Sequence, residues 1–187
     1  MQHFGRRAFV TGVALLPPLL LAGRADATLM RGLSLRRLSA QSQHVLLLTG
    51  LQAHCVSISI AGRPAIITET RVRVEDVYAK ATPNSGELVV RTLGGVLGGE
   101  GELVHGQAEL ALGVQCLVFL TRAEDESLWV TGMAQGHYPI AAPVSSEALL
   151  VASPHLPTLR DFEHSAVRAL VGQKLTQARR LIEDSAR

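Results

Sequence analysis

The sequence predicts a mainly β domain, with about five antiparallel strands between a short N-terminal helix and a C-terminal α-helix. Three observations carry this. Thr68, Thr70, Val72 and Val74 alternate with Glu69, Arg71, Arg73 and Glu75, the period of a strand with one buried and one solvated face. Val56, Ile58 and Ile60 alternate with Ser57 and Ser59 just upstream, and the intervening Ala61-Gly62-Arg63-Pro64 reads as a turn, so the two segments form a hairpin. Leu159, Phe162, Ala166, Leu170 and Val171, continued by Leu175, Ala178, Leu181 and Ile182, make an apolar stripe at helical spacing.

The elements follow in order. Ser34 is an N-cap for a short helix in which Leu35 and Leu38 share a face, ending before His44. The strand region starting at Val45 and running to Ile60 is too long for an average strand, and Gly50 marks a bulge or bend in it. Pro83-Asn84-Ser85-Gly86 is a turn before a strand from Glu87 to Leu93. Gly94-Gly95-Val96-Leu97-Gly98-Gly99-Glu100-Gly101 is a glycine-rich loop. Gln115–Leu120 and Ser127–Met133 are two more strands around the acidic turn Ala123–Glu126, and Gly136–Ile140 continues or ends the last. Ala141–Pro157 holds three prolines and wraps the body as a loop. The closing helix spans residues 158–185, with Thr158 and Asp161 at capping-box spacing. Five strands with wide turns suit a small closed barrel of the oligonucleotide/oligosaccharide-binding (OB-like) type, with a helix-covered open sheet as the alternative. Residues 28–187 form a single domain.

Residues 1–27 read as a cleavable export signal. Arg6 and Arg7 charge the first part, Val10–Ala22 is apolar, and Ala25-Asp26-Ala27 is a small-x-small cleavage pattern that leaves Thr28 first in the mature chain. The apolar run is shorter than the roughly 20 residues of a membrane span, and Pro17-Pro18 interrupts it. Gly5-Arg6-Arg7-Ala8-Phe9-Val10-Thr11 resembles the twin-arginine consensus, matching it at Arg6, Arg7 and Phe9 and departing at Gly5, Val10 and Thr11. Arg24, just before the cleavage site, disfavours the general secretory route, which is the alternative. The resemblance implies a bacterial protein exported already folded, with the twin-arginine machinery and signal peptidase as partners in a periplasmic or secreted life.

The charge balance sharpens once the signal is set aside. The chain has 18 Lys+Arg and 16 Asp+Glu, and the signal contains Arg6, Arg7, Arg24 and Asp26, so equal numbers remain. A neutral domain with dispersed charges lacks the basic footprint of a nucleic-acid binder and the polybasic patch of a membrane-surface protein. Cys55 and Cys116 both lie in strand-like segments of the mature part, and an even count in an oxidising compartment favours a disulfide. Such a bridge closes a loop of about 60 residues and contributes about 4 kcal/mol in the chain-entropy description. Two separate buried thiols are the alternative.

Over Leu33–Val171 the chain resembles a family of small secreted bacterial β-rich proteins with no settled activity. The resembling residues are Leu33-Ser34-Leu35, Arg91-Thr92-Leu93-Gly94-Gly95 with Gly98-Gly99, Val118-Phe119-Leu120 and Gly132-Met133-Ala134-Gln135-Gly136. The resemblance implies one exported domain and supplies no chemistry. The expected barrel is also similar to the inhibitory domain of the tissue inhibitors of metalloproteinases. Those place an N-terminal cysteine on the target's zinc, whereas here the first cysteine lies 27 residues beyond Thr28, which argues against that mechanism and leaves inhibition by another surface open.

Catalytic spacings are missing from the sequence. Gly94, Gly95, Gly98 and Gly99 form a candidate binding loop, since glycines admit a close ligand approach. They lack the Lys-Ser/Thr of a phosphate loop and the spacing of a dinucleotide fingerprint, so a wide turn at positive φ is the plainer account. The histidines show no metal-ligand spacing, and no Gly-x-Ser-x-Gly elbow occurs. Glu69 and Glu75 face solvent on the alternation and pair with arginines across strands. Trp129 is expected to fill the core. No catalytic residue, metal ligand or cofactor is assigned. The expectation is a non-catalytic exported barrel that binds a protein or envelope component, with a hydrolase or metal-dependent enzyme built from a non-local site as the alternative.

Overall fold

A computed structural model describes residues 29–80, 86–141 and 148–186. In chain order the elements are β1 (Leu29–Arg31), α1 (Leu35–Gln41), β2 (His44–Ile60), β3 (Arg63–Lys80), β4 (Glu87–Leu93), β5 (Gly95–Leu97), β6 (Glu100–Glu102), β7 (Gln115–Arg122), β8 (Leu128–Val130), a 3-10 turn at Met133–Gly136, β9 (His137–Ala141), β10 (Leu149–Leu150), β11 (Thr158–Arg160), a 3-10 turn at Phe162–His164, α2 (Ala166–Leu170) and α3 (Leu175–Ser185). The fold is mainly β.

β2 and β3 form the predicted hairpin. They are antiparallel over their whole length and joined by Ala61 and Gly62, both at positive φ, as a two-residue primed turn demands. The register of β2 against β3 shifts between Gly50 and Gln52, at the bend that Gly50 predicts. The reason is close approach: a Cβ on Gly50 would lie 2.7 Å from the Ala111 carbonyl oxygen. Seven strands hydrogen-bond in the order β10-β9-β7-β2-β3-β4-β8, and β8 also pairs with β7. β2, β3, β4, β8 and β7 therefore make a ring of five strands. All its pairings are antiparallel except β4 with β8.

Two apolar cores result. Inside the ring, Leu46, Leu48, Val72, Val90, Val118 and Leu120 pack with Cys116, and Ala108 and Leu110 from the β6–β7 connection plug the mouth. Outside it, Leu47, Leu117, Phe119 and Tyr138 present the other face of the sheet to Leu38 of α1, Leu170 of α2 and Ile182 of α3. Ser34 caps α1 by accepting the Arg37 N–H (3.3 Å). Arg179 fastens α3 to β3. It lies over the Tyr78 ring (4.1 Å), donates to the Val77 carbonyl (2.8 Å) and pairs with Asp76.

Four expectations are corrected. The helix expected over 158–185 is instead β11, a 3-10 turn, α2 and α3. Thr158–Arg160 pairs in parallel with Leu29–Arg31, Asp161 is left-handed at φ 61°, Ser165 caps α2, and Gly172 at φ 82° separates α2 from α3. The strand expected at Ser127–Met133 is cut to Leu128–Val130, because Met133 takes φ 58° and opens a 3-10 turn. Trp129 joins neither core. It is half-buried, and its Nε1 donates to Ser127 Oγ (2.8 Å). Strand pairing is not wholly antiparallel, as β1–β11 and β4–β8 show. Among the described residues no helix is long and apolar enough to cross a membrane.

Candidate functional site

A cleft of about 880 Å³ lies against the ring where β2, β3 and β4 extend past β7. Its floor is the inward row of the strand alternation. Ala53, Thr70 and Val90 are in register across β2, β3 and β4, and Cys55, Thr68 and Thr92 follow two residues on. Ala53, Thr68, Thr70 and Thr92 line the cleft. Its roof is the 102–112 connection and the Pro154–Thr158 segment. Leu103 and Leu112 stand at the rim, 78% and 55% exposed. Glu102, Glu109, His105 and His155 supply the ionisable groups, and among the described residues no lysine or arginine lines the cleft.

The polar contacts are specific. Glu102 accepts the Ile66 N–H (2.6 Å), which ties β6 to β3. Glu109 meets His155 across the roof (2.7 Å). Behind that pair, His137 Nδ1 lies 3.0 Å from Ser153 Oγ, with both side chains buried. Burial pulls the His137 pKa down to about 4; the Glu109 charge opposes this and His155 adds to it. Among the described residues no group of three or more His, Cys, Asp or Glu is placed to hold a metal ion.

The expected disulfide is overturned: both cysteines are free. Cys116 stands opposite Leu48 on β2, whereas Cys55 is seven residues further along that strand. At about 3.3 Å per residue the separation is on the order of 20 Å, far beyond the ~7 Å a bridge tolerates. Cys116 fills the ring interior, and burial pushes its thiol up to about 12. Cys55 is half-buried, with Sγ 3.5 Å from Thr68 Oγ1.

The glycine-rich loop divides in two. Gly94 and Gly95 line the cleft. The Gly94 carbonyl accepts from Thr68 Oγ1 (2.8 Å), and a Cβ on Gly95 would fall 2.5 Å from Cys55 Sγ. Gly98 and Gly99 lie at the β5–β6 tip, outside the cleft and in open space. The signal residues Arg6, Arg7, Phe9, Ala25, Ala27 and Thr28 lie outside the described residues. The cleft itself was missed by the sequence reading, although the inward alternation of Thr68 and Thr70 was its one visible sign. No family model matches the chain, and no curated protein is found as a relative.

Proposed function

We propose that this is an exported, non-catalytic binding module whose ring is a small barrel of the oligonucleotide/oligosaccharide-binding type and whose ligand enters the cleft over β2, β3 and β4. The partner is a protein or envelope component. The order of the ring, β2-β3-β4-β8-β7 with one parallel pair, supports the barrel reading. The observation that carries the binding reading is the cleft itself: it is of ligand size and lined by threonine hydroxyls, glycine backbone and a few ionisable groups. Its two carboxylates, with no lysine or arginine beside them among the described residues, disfavour phosphate backbones. The hydroxyl–imidazole pair nearby, Ser153 with His137, is 4% and 2% exposed, so substrate has no access to it. Export rests on the signal-like residues 1–27.

Ala53 is exposed at the cleft floor, so Ala53→Trp narrows the cleft without disturbing a core. Capture of ligand from the native envelope fraction is expected to fall at least tenfold in this variant, with an unchanged melting curve. Undiminished capture refutes the cleft as the site. Export is tested separately by mass spectrometry of the mature N-terminus, expected at Thr28, and by Arg6→Lys with Arg7→Lys, expected to block it.

A further inference from the structure

Leu51–Ile60 of β2 is a sheet edge that no strand covers among the described residues. β7 leaves β2 at Thr49, and the chain at Leu112 and Gly113 bonds to β2 at Gly50. Which backbone groups this edge presents follows from β3. Ile66 stands opposite Ser57. Ile66 gives its N–H to Glu102 and accepts the Gly94 N–H (2.8 Å), both away from β2. Directly opposed residues of an antiparallel pair point their groups together or apart, so Ser57 turns its own N–H and C=O outward. The turn gives the same answer. A two-residue loop at Ala61-Gly62 makes Ile60 and Arg63 a hydrogen-bonded pair. Counting back in twos leaves Ala53, Cys55, Ser57 and Ser59 facing out.

The edge carries none of the protections that sheets use against pairing. Leu51–Ile60 contains no lysine, arginine, aspartate, glutamate or proline, and its bulge, at Leu51, lies before the stretch from Ala53. Ala53 and Cys55 on this edge also turn their side chains to the cleft side, where Glu102, bonded to the Ile66 N–H, and Glu109, paired with His155, have no lysine or arginine beside them among the described residues.

We propose that the outer edge of β2 from Ala53 to Ser59 is a strand-addition site for an extended peptide segment with basic residues at alternate positions. Its backbone pairs with the edge, and its basic side chains enter the acidic cleft. This rests on the cleft being the binding site. A second copy of the chain fits less well. It would bring Ala53, Cys55, Ser57 and Ser59 to the cleft side, which are small and uncharged and offer Glu102 and Glu109 no cation.

The test uses the full chain and a fluorescein-labelled peptide, Thr-Lys-Val-Lys-Val-Thr with blocked ends. Its comparators are the same peptide N-methylated at alternate amides and one with glutamate for lysine. Binding is expected for the first only, with at least tenfold losses for the other two and amide NMR shifts concentrated at Ala53, Cys55, Ser57 and Ser59. Ser57→Pro removes one outward N–H and no ladder bond, so it is expected to weaken the peptide about tenfold while keeping its melting curve. Equal binding of the N-methylated peptide, or no binding of any, overturns strand addition. A dimer dissolved by Ser57→Pro assigns the edge to a second copy and also overturns it. If Ala53→Trp abolishes ligand capture while Ser57→Pro spares it, the cleft stands and the strand falls. If Ala53→Trp changes nothing, the cleft reading falls first.

Discussion

Glu69 and Arg91 stand opposite each other on β3 and β4, with Arg91 Nε donating to Glu69 Oε1 at 2.8 Å and both side chains less than a quarter exposed. They are the centre of a row across the outer face. His54 of β2 lies 3.3 Å from Glu69, and Asp125 accepts from Arg91 at 2.8 Å. Burial works against the Arg91 charge, but the bonds from Glu69 and Asp125 outweigh it and raise its pKa. The row spans β2, β3 and β4 and reaches the β7–β8 turn, so it braces the ring where β4 meets β8. Arg91→Ala is expected to cost about 1–2 kcal/mol, between the exposed and the fully buried limits for an ion pair. Urea unfolding of Arg91→Ala, Glu69→Ala and the double variant checks this. Additive losses would show that the two residues do not act together.

The cysteines make a second prediction. Cys55 is half-buried beside the cleft, whereas Cys116 is 2% exposed with its thiol pushed up to about 12 by burial. In the folded protein a maleimide should label Cys55 and spare Cys116 until denaturant is added. Mass analysis without reductant should find no intrachain bridge. Equal labelling of both, or a bridge, contradicts the register of β2 against β7.

Gly95 and Gly98 separate two costs of a side chain. At Gly95, φ is 138° and a Cβ meets Cys55 Sγ, so Gly95→Ala combines backbone strain with a clash and should cost roughly 2–4 kcal/mol. At Gly98, φ is 61° and nothing lies within 4 Å, so Gly98→Ala should cost about 1 kcal/mol. Cys55→Ala should restore part of the Gly95→Ala loss and none of the Gly98→Ala loss. Thermal unfolding of the native protein, the three single variants and the two double variants decides it.

These positions also show what the sequence makes legible. The β2–β3 hairpin was readable because its middle has one solvated face, which writes a period of two into Thr68–Glu75. The arginine pairing of Glu69 followed from the same alternation. The C-terminal segment misled because apolar residues keep helical spacing from Leu159 to Ile182, while Asp161, Ser165 and Gly172 break the backbone beneath them. The disulfide misled because counting cysteines carries no register, and register puts their positions seven residues apart along β2. The cleft was illegible for a related reason. Its floor is small neutral residues from three strands and its acids come from β6 and the β6–β7 connection, so no local motif marks it.

His137 ties stability to pH. The imidazole is 2% exposed, and burial lowers its pKa from 6.5 to about 4 in the fold. A base with a depressed folded pKa is neutral in the fold while the unfolded chain takes up a proton. Its contribution is thus fully present above about pH 6.5, is lost as pH falls toward 4, and is constant below. A shift of this size corresponds to a loss on the order of 3 kcal/mol. Glu75 contributes in a lower window: its bonds from Arg73 and Thr49 depress its pKa, so that stabilisation disappears only as pH falls below 4.5. Unfolding free energies at pH 7, 5.5 and 4.5 should therefore decline in the native protein and be nearly flat in His137→Gln, whose amide keeps a partner for Ser153. An equally steep decline in His137→Gln would assign the pH dependence to other groups.

Tyr138 yields a prediction of opposite sign. Its ring is fully buried and meets Phe119 edge-on at 6.1 Å, yet its hydroxyl has no hydrogen-bond partner among the described residues. A buried hydroxyl without a partner loses its bonds to water and gains none in return, at about 1–3 kcal/mol. Tyr138→Phe keeps the ring contact and deletes that cost. The variant should therefore be more stable than the native protein, by roughly 0.5–2 kcal/mol in urea unfolding with an unchanged m-value. The gain is smaller than the full desolvation cost, because removing the oxygen leaves a small void between the sheet and the helices. A loss of more than 1 kcal/mol would mean that the hydroxyl is bonded in solution and helps to hold the helices on the sheet.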